Sequence, residues 1–266
     1  MKTILLTFDI EEFPAKEFNI PINKDEAYKL GYEGTKKILN IVKKNKIKIT
    51  CFVTYEFAKK YKRIVKELQD LGCEIASHGF NHNHRYNKMS EKEAFSNLKK
   101  SLDGMKKLGF NVKGFRAPQM SKPKYEIIEK VGFIYDSSLH PAWIPGYYNN
   151  LSETRKITIK GKNLKEIPLS VAPIVRFPMA WLWFRNFGLF YEKLLTKINF
   201  LDMNFTHIYI HPWELIDIDN KINKKYMSKL ILRKTGDEFI KIIEEYINWC
   251  KNKKYEFNTI SGFLKK

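Results

Sequence analysis

Residues 3–13 read TILLTFDIEEF: a β-prone run, Thr3 to Phe8, leads directly into three acids, Asp9, Glu11 and Glu12. A short apolar run of this kind fits a strand buried on both faces, as in a parallel sheet covered by helices. Working outward, similar runs fall at 47–53, 74–77, 112–115 and 206–210. Between them, 25–44, 55–71, 91–108 and 237–250 carry apolar residues at helical spacing. Ser90 with Glu93, and Thr235 with Glu238, have capping-box spacing at two helix starts. The alternation predicts an α/β fold with a mainly parallel sheet or barrel.

The chain of 266 residues is 44% hydrophobic and 14% aromatic, enough to bury a core and to exclude general disorder. No internal repeat or low-complexity linker divides it, so a single domain over 1–266 is expected. The stretch 143–200 breaks the rhythm. It holds a Pro145-Gly146 turn, hairpin strands at 157–159 and 164–167, and an aromatic segment, and reads as an insertion over one end of the sheet or barrel. The formal charge is +19, but only seven of the 48 basic residues are Arg. Lys pairs such as Lys43-Lys44 and Lys224-Lys225 fit solvated helix faces better than a nucleic-acid footprint, so no specific nucleic acid is expected. Cys51, Cys73 and Cys250 are far apart and odd in number, which argues for buried apolar roles and against disulfides or a thiolate zinc site. The first apolar run is too short for a secretory core or a membrane span, so a cytoplasmic location is expected.

In parallel α/β folds, functional groups collect at the carboxyl ends of strands. Here those positions hold Asp9, Glu11 and Glu12; His78, His82 and His84; Arg116; Asp136, trailed by His140; and His211. Only His207 falls inside a run. Singly, each has a plain alternative, such as a helix cap or a polar turn. His78 and His82, however, have three residues between them and converge on one cation if 79–81 forms a helical turn. Two imidazoles, one carboxylate and an open position for water suit a hydrolytic zinc site.

The series TFDIEEF (7–13), SHGFNH (77–82), GFRAPQ (114–119), YDSSLHP (135–141) and HIYIHPWE (207–214) resembles the five ordered motifs of the polysaccharide deacetylases, in a branch with FDxE for FDD and HPWE around its last histidine. The resemblance implies a distorted (β/α) barrel of about seven parallel strands and a divalent metal, usually Zn2+, with Co2+, Mn2+ or Ni2+ as alternatives. It makes Asp9 the base, Arg116 the residue that orients it, and His211 the acid, with Asp136 tuning His211. His78 and His82 match the metal-binding histidines. The family's second Asp is Ile10 here, which cannot bind metal. Glu11, two residues after Asp9 and so on its face of an extended strand, takes that place, with Glu12 in reserve. His84 reads as a loop residue. Gly79 stands where Ser or Thr is common. Gln119 holds the position whose backbone N–H helps bind the oxyanion, and Trp143, Tyr147 and Trp213 are candidates for stacking on a sugar.

The expected reaction removes an N-acetyl or N-formyl group from an amino sugar of a polysaccharide, an oligosaccharide or a lipid-linked glycan precursor. The stretch 177–191 (FPMAWLWFRNFGLFY) has one charge in fifteen residues. It reads as core packing or as an interfacial segment in peripheral contact with an anionic membrane. A lipid-linked glycan accounts for the basic charge and the aromatic segment together. An amidohydrolase acting on a small cyclic amide or ureide is the rival reading. A non-catalytic glycan-binding barrel is another, and it predicts loss of Asp9 or of the histidine pair, both of which are present.

Overall fold

The computed structural model describes residues 1–218, 221–222 and 227–266; the Lys224-Lys225 pair lies outside them. The opening stretch forms β1 (Thr3–Ile10), buried at every position. Its alternation divides two environments. Ile4, Leu6, Phe8 and Ile10 join the large core under the surrounding helices, while Leu5 joins a small cluster with Phe52, Ala76, Tyr135 and Phe205. Thr7, Asp9 and Glu11 continue the Leu5 face toward the carboxyl end, so period-two geometry lines up a polar column.

Six further strands run parallel with β1: β2 (Thr50–Val53), β3 (Glu74–Ser77), β4 (Gly114–Phe115), β5 (Tyr135–Asp136), β9 (Leu164–Glu166) and β10 (Phe205–Ile210), in the order β10-β1-β2-β3-β4-β5-β9. This is the expected curled, parallel-rich α/β sheet of a distorted barrel. The predicted hairpin is present as β8 (Thr158–Lys160) antiparallel to β9, so its second strand is itself the seventh parallel strand. A separate small hairpin pairs β6 (Trp143–Ile144) with β7 (Tyr148–Asn149). Between 167–171 and β10 no ladder forms. The edge is stitched by Ser170 N–H donating to His207 O (3.0 Å) and His207 N–H donating to Ser170 Oγ (2.8 Å). Off the main strand order, a last short strand, β11 (Glu256–Phe257), also pairs in parallel with the start of β1.

The helices follow their sequence signals with two differences. α1 (Lys24–Asn45) starts at a capping box built by Asn23 and Glu26, and α4 (Glu91–Lys107) at the expected Ser90–Glu93 box. The predicted helix over 55–71 divides at Tyr61 into α2 (Tyr55–Lys60) and α3 (Lys62–Asp70). The expected Thr235–Glu238 box is absent: α8 (Asp237–Asn252) is entered through Gly236, whose N–H donates to Glu214 O, and Thr235 Oγ1 turns back to Leu232 O. α5 (Tyr125–Val131) precedes β5, and α6 (Trp181–Asn199) carries most of the aromatic segment and leads into β10. Short α7 (Lys229–Leu232) and α9 (Ile260–Phe263) complete the set. All three cysteines are free and buried.

Two glycines of α1 let the helix touch the strand-end loops. A Cβ on Gly31 would lie 2.1 Å from Glu11 O, and one on Gly34 would lie 1.9 Å from Pro212 O, far inside van der Waals contact. Residues three apart share a helix face, so one surface of α1 seats both the loop after β1 and the loop after β10.

Candidate active site

Arg116, fully buried at the end of β4, organises the polar column. Its Nη1 donates to Asp9 Oδ1 (2.6 Å) and Thr7 Oγ1 (3.0 Å), its Nε to Ser137 O (3.1 Å), and its Nη2 to Ser137 Oγ (3.0 Å) and His207 Nε2 (2.8 Å). Since a guanidinium only donates, His207 Nε2 accepts, and its Nδ1–H donates to Pro168 O at 3.1 Å. The guanidinium also lies over Phe52, 4.0 Å from the ring centroid. Burial pushes the Asp9 carboxyl up. Arg116, then His78 and His211, outweigh this and hold it below its ordinary range, so Asp9 is a charged carboxylate at neutral pH.

Opposite Asp9 stand Glu11, His78 and His82. Gly79 adopts φ +76, so His78 and His82 converge through a bend and not through the predicted helical turn. A Cβ there would meet Tyr86 Oη at 2.5 Å. Tyr86 occupies the space a larger residue would need, accepting from Phe80 N–H (3.0 Å) and donating to Asn97 Oδ1 (2.8 Å). His78 Nδ1 is 2.9 Å from Arg116 O, which can only accept, so its Nε2 presents a lone pair. That lone pair faces Glu11 Oε2 at 3.1 Å, and His82 Nε2 is 3.5 Å from Glu11 Oε1. Both Glu11 oxygens are buried without a hydrogen-bond donor. Burial, then Asp9, Glu12 and Glu17, push Glu11 well above the usual carboxylate range. Burial brings His78 down to about 4 and holds His82 well below its ordinary value, so both imidazoles are neutral, as ligation requires. An orphaned carboxylate facing imidazole lone pairs is a donor set that a divalent cation satisfies. Among the described residues no group of three His, Cys, Asp or Glu side chains stands at metal-holding geometry, so the fit of Glu11, His78 and His82 is one of donor chemistry. Glu12, also buried, is pushed up by burial and feels Glu56 and Lys24 on the helix side. His84 packs against Phe80 and Tyr86.

His211 follows β10. Its partner is not Asp136, contrary to the expectation. Asp136 accepts from Ser138 Oγ (2.6 Å) and shares a buried carboxyl pair with Glu166, while its neighbour Ser137 holds Arg116. Glu214 takes the place beside His211: its Oε1 lies 3.0 Å from His211 Nδ1 and accepts from His211 N–H at 2.8 Å. Behind it, Arg185 Nη1 is 3.3 Å from Glu214 Oε2, both side chains fully buried. The i,i+3 spacing of His211 and Glu214, that of a capping box, is the sequence signal for this pair. The signal for His207 is strand alternation, which puts it on the same face of β10 as Phe205 and Tyr209. Arg185 and Glu17 carry no comparable pattern.

A cavity of about 200 Å³ opens above these groups, lined by Asp9, Glu11, His78, His82 and His211, and by Tyr147, Trp181, Trp183 and Trp213 among others. Glu17 bridges its mouth, accepting from Gln119 Nε2 and from Tyr147 Oη, each at 2.9 Å. Gln119 and Tyr147 therefore reach the site. Trp213 is buried and stacks on His211, centroids 5.8 Å apart and rings 20° from parallel. Trp143 does not line the cavity. It is 59% exposed on β6, because the hairpin turns its neighbours Ile144, Tyr147 and Tyr148 inward instead.

Over the full length the chain resembles solved structures in fold: a Mycobacterium smegmatis protein described as a polysaccharide deacetylase (17% identity, TM-score 0.65, 99% of this chain and 88% of that one) and the peptidoglycan deacetylase PdaC of Bacillus subtilis (16%, 0.55, 99% and 90%). Puue allantoinase shares the fold as well (16%, 0.62, 97% and 87%). In sequence, 67 residues are 37% identical to the peptidoglycan-N-acetylmuramic acid deacetylase PdaA of Bacillus subtilis, a match spanning a quarter of each chain. The family model for polysaccharide deacetylase matches residues 1–133, the half that carries Asp9, Glu11, His78, His82 and Arg116, and the chain belongs to the polysaccharide deacetylase family.

Proposed function

We propose that the protein is a metal-dependent hydrolase that removes an N-acetyl or N-formyl group from an amino sugar. The observation that carries this reading is the facing arrangement in one cavity: a charged Asp9 held by Arg116, a cation-seeking Glu11–His78–His82 set, and His211 backed by Glu214.

Glu11, His78 and His82 would hold the metal, and two imidazoles with one carboxylate favour Zn2+, with Co2+, Mn2+ or Ni2+ as substitutes. When bound, such an ion polarises the amide carbonyl and acidifies water. Arg116 binds Oδ1 of Asp9 and leaves Oδ2 to accept the proton of the attacking water. His78 is oriented by its Nδ1–H on Arg116 O, so one residue positions both base and ligand. Glu214 fixes Nδ1 of His211, which leaves Nε2 to deliver a proton to the departing nitrogen. Water adds its oxygen to the acyl carbon, the C–N bond breaks, and amine and carboxylate leave. The Gln119 backbone N–H is assigned to the oxyanion. Tyr147 offers a face to a sugar ring, whereas Trp213, expected to do the same, is buried among Phe13, Phe18, Trp181 and His211 and supports the His211 ring instead.

The apolar lining contributed by Phe18, Leu182, Trp183 and Ile231 supports a glycan carried on a lipid, and we propose that it is handled at the cytoplasmic face of a membrane. The test is release of acetate or formate from N-acylated glucosamine oligomers against hydrolysis of small cyclic amides, with bound metal measured in the same samples. Deacylation lost in Asp9→Asn and His211→Ala, and metal lost in His78→Ala, are the expected results. Undiminished deacylation in either catalytic variant overturns the roles, and turnover of cyclic amides alone overturns the substrate class.

A further inference from the structure

The outer face of α6 departs from the pattern of an ordinary surface helix, which is polar toward water. Phe190, Leu194 and, just past the helix end, Leu201 recur at i, i+4 and i+11, one helical stripe, and all are exposed, Phe190 by 77%. Phe187, before the kink at Gly188, is 64% exposed and leans on Tyr191, ring centroids 5.2 Å apart. Tyr191 Oη donates to Pro178 O at 2.9 Å, which brings the neighbouring 173–177 loop alongside. At its tip Ile174 is 95% exposed with φ +64, a conformation a β-branched residue rarely holds, and Val175 and Phe177 flank it in the open. The charge around this apolar surface is mostly of one sign, the half-exposed Asp202 beside Leu201 being paired with Arg155. Between residues 167 and 201 the only acid is Glu192, which is buried, whereas Lys197 is exposed and Arg176 and Lys193 are partly so. The inner side of the same helix serves the active site, since Trp181, Leu182 and Trp183 of its first turn line the cavity. The aromatic segment is thus core on one side and open surface on the other, and the surface spreads beyond 177–191 to Ile174 and Leu201.

We propose that this face docks the protein peripherally on an anionic lipid bilayer, the apolar side chains entering the headgroup boundary and Arg176, Lys193 and Lys197 meeting lipid phosphates. It deepens the lipid-linked reading of the substrate and rests on that reading only for what the cavity receives there. Among the described residues no helix is long and apolar enough to cross a membrane, so the contact lies in the plane of the interface. A second copy is the poorer occupant, because a two-fold contact of this face with itself sets the same three cations against their own images.

The experiment is co-sedimentation of the full chain with vesicles of phosphatidylcholine alone and of phosphatidylcholine with phosphatidylglycerol, at low and raised salt. Binding to the anionic vesicles that weakens with salt is expected. Ile174→Ser/Phe190→Ser should lose at least about tenfold in partitioning while keeping its thermal midpoint. Lys193→Gln/Lys197→Gln, which keeps the exposed apolar side chains and removes only charge and the Lys193 contact with the Trp249 ring, should bind less and with a flatter salt dependence. Absence of wild-type binding to anionic vesicles overturns the proposal, as does equal binding by both variants. Self-association abolished by the serine pair, without vesicle binding, assigns the face to a second copy and overturns it too. Vesicle binding without deacylation of any glycan would sink the proposed reaction and leave the docking surface standing.

Discussion

Glu192 makes a demand on the fold that pH can read. It lies on α6 against α8, fully buried beside Tyr246 and Cys250, and neither carboxyl oxygen has a donor. Burial raises it from 4.5 to about 8. A carboxyl whose folded value is raised is protonated in the native state and ionised in the unfolded chain through the interval between the two values. Its contribution is therefore fully present below the unfolded value near 4.5 and is lost as pH climbs toward 8. At about 1.4 kcal/mol per pH unit, the loss is about 3 kcal/mol at pH 7 and about 5 kcal/mol above pH 8. Glu192→Gln keeps the shape and removes the ionisation. The variant should match the wild type near pH 4.5 and exceed it by about 3 kcal/mol at pH 7, a rise of about 5–10 °C in thermal midpoint for a domain of this size. Thermal melts of both proteins at half-unit steps from pH 4.5 to 8.5 measure this directly. Parallel curves, with a constant offset, would refute the assignment of a neutral buried carboxyl.

Three further substitutions test the site. Arg116→Lys replaces a planar fork that ties Asp9, Thr7, Ser137 and His207 together by a single ammonium; kcat should fall about 100-fold, about 3 kcal/mol, with metal content retained, and steady-state kinetics beside metal analysis decides it. Glu214→Ala leaves Arg185 buried without its ion pair and should cost about 3–5 kcal/mol in urea unfolding, with part recovered on adding Arg185→Met. Gly34→Ala drives a methyl into Pro212 O and should cost about 1–3 kcal/mol or more while lowering kcat through His211, whereas an unchanged melt and turnover would show that the loop yields freely.

The fold was legible where local patterns are strong. The β1 run, the helical periodicities and the Ser90 box are read from near neighbours, and each is present. The helix over 55–71 read as continuous because apolar spacing passes through Tyr61 unbroken, while the backbone there does not. At the site, strand-end placement singled out Asp9, Glu11, His78, His82, Arg116 and His211, and the structure brings these side chains together because a parallel sheet gathers those positions. It missed His207, which sits mid-strand, and Arg185, which reaches Glu214 from a helix distant in sequence. Asp136 was assigned to His211 on motif order, but the local backbone turns it toward Ser138 and Glu166. The pleat alone favours Glu11 over Glu12, and the structure puts Glu11 against His78 and His82 while Glu12 feels Glu56 and Lys24.

The unpaired edge beside β10 has a consequence for how the site reports on itself. Ser170 N–H is held by His207 O, and the ring of His207 is pinned between Arg116 and Pro168 O. The guanidinium that steadies the base thus also fastens the place where the sheet would otherwise part. Amide exchange at Ser170 becomes a spectroscopic gauge of events at Asp9: loosening Arg116 frees the imidazole, the edge opens more often, and deuterium enters there before it reaches the central strands.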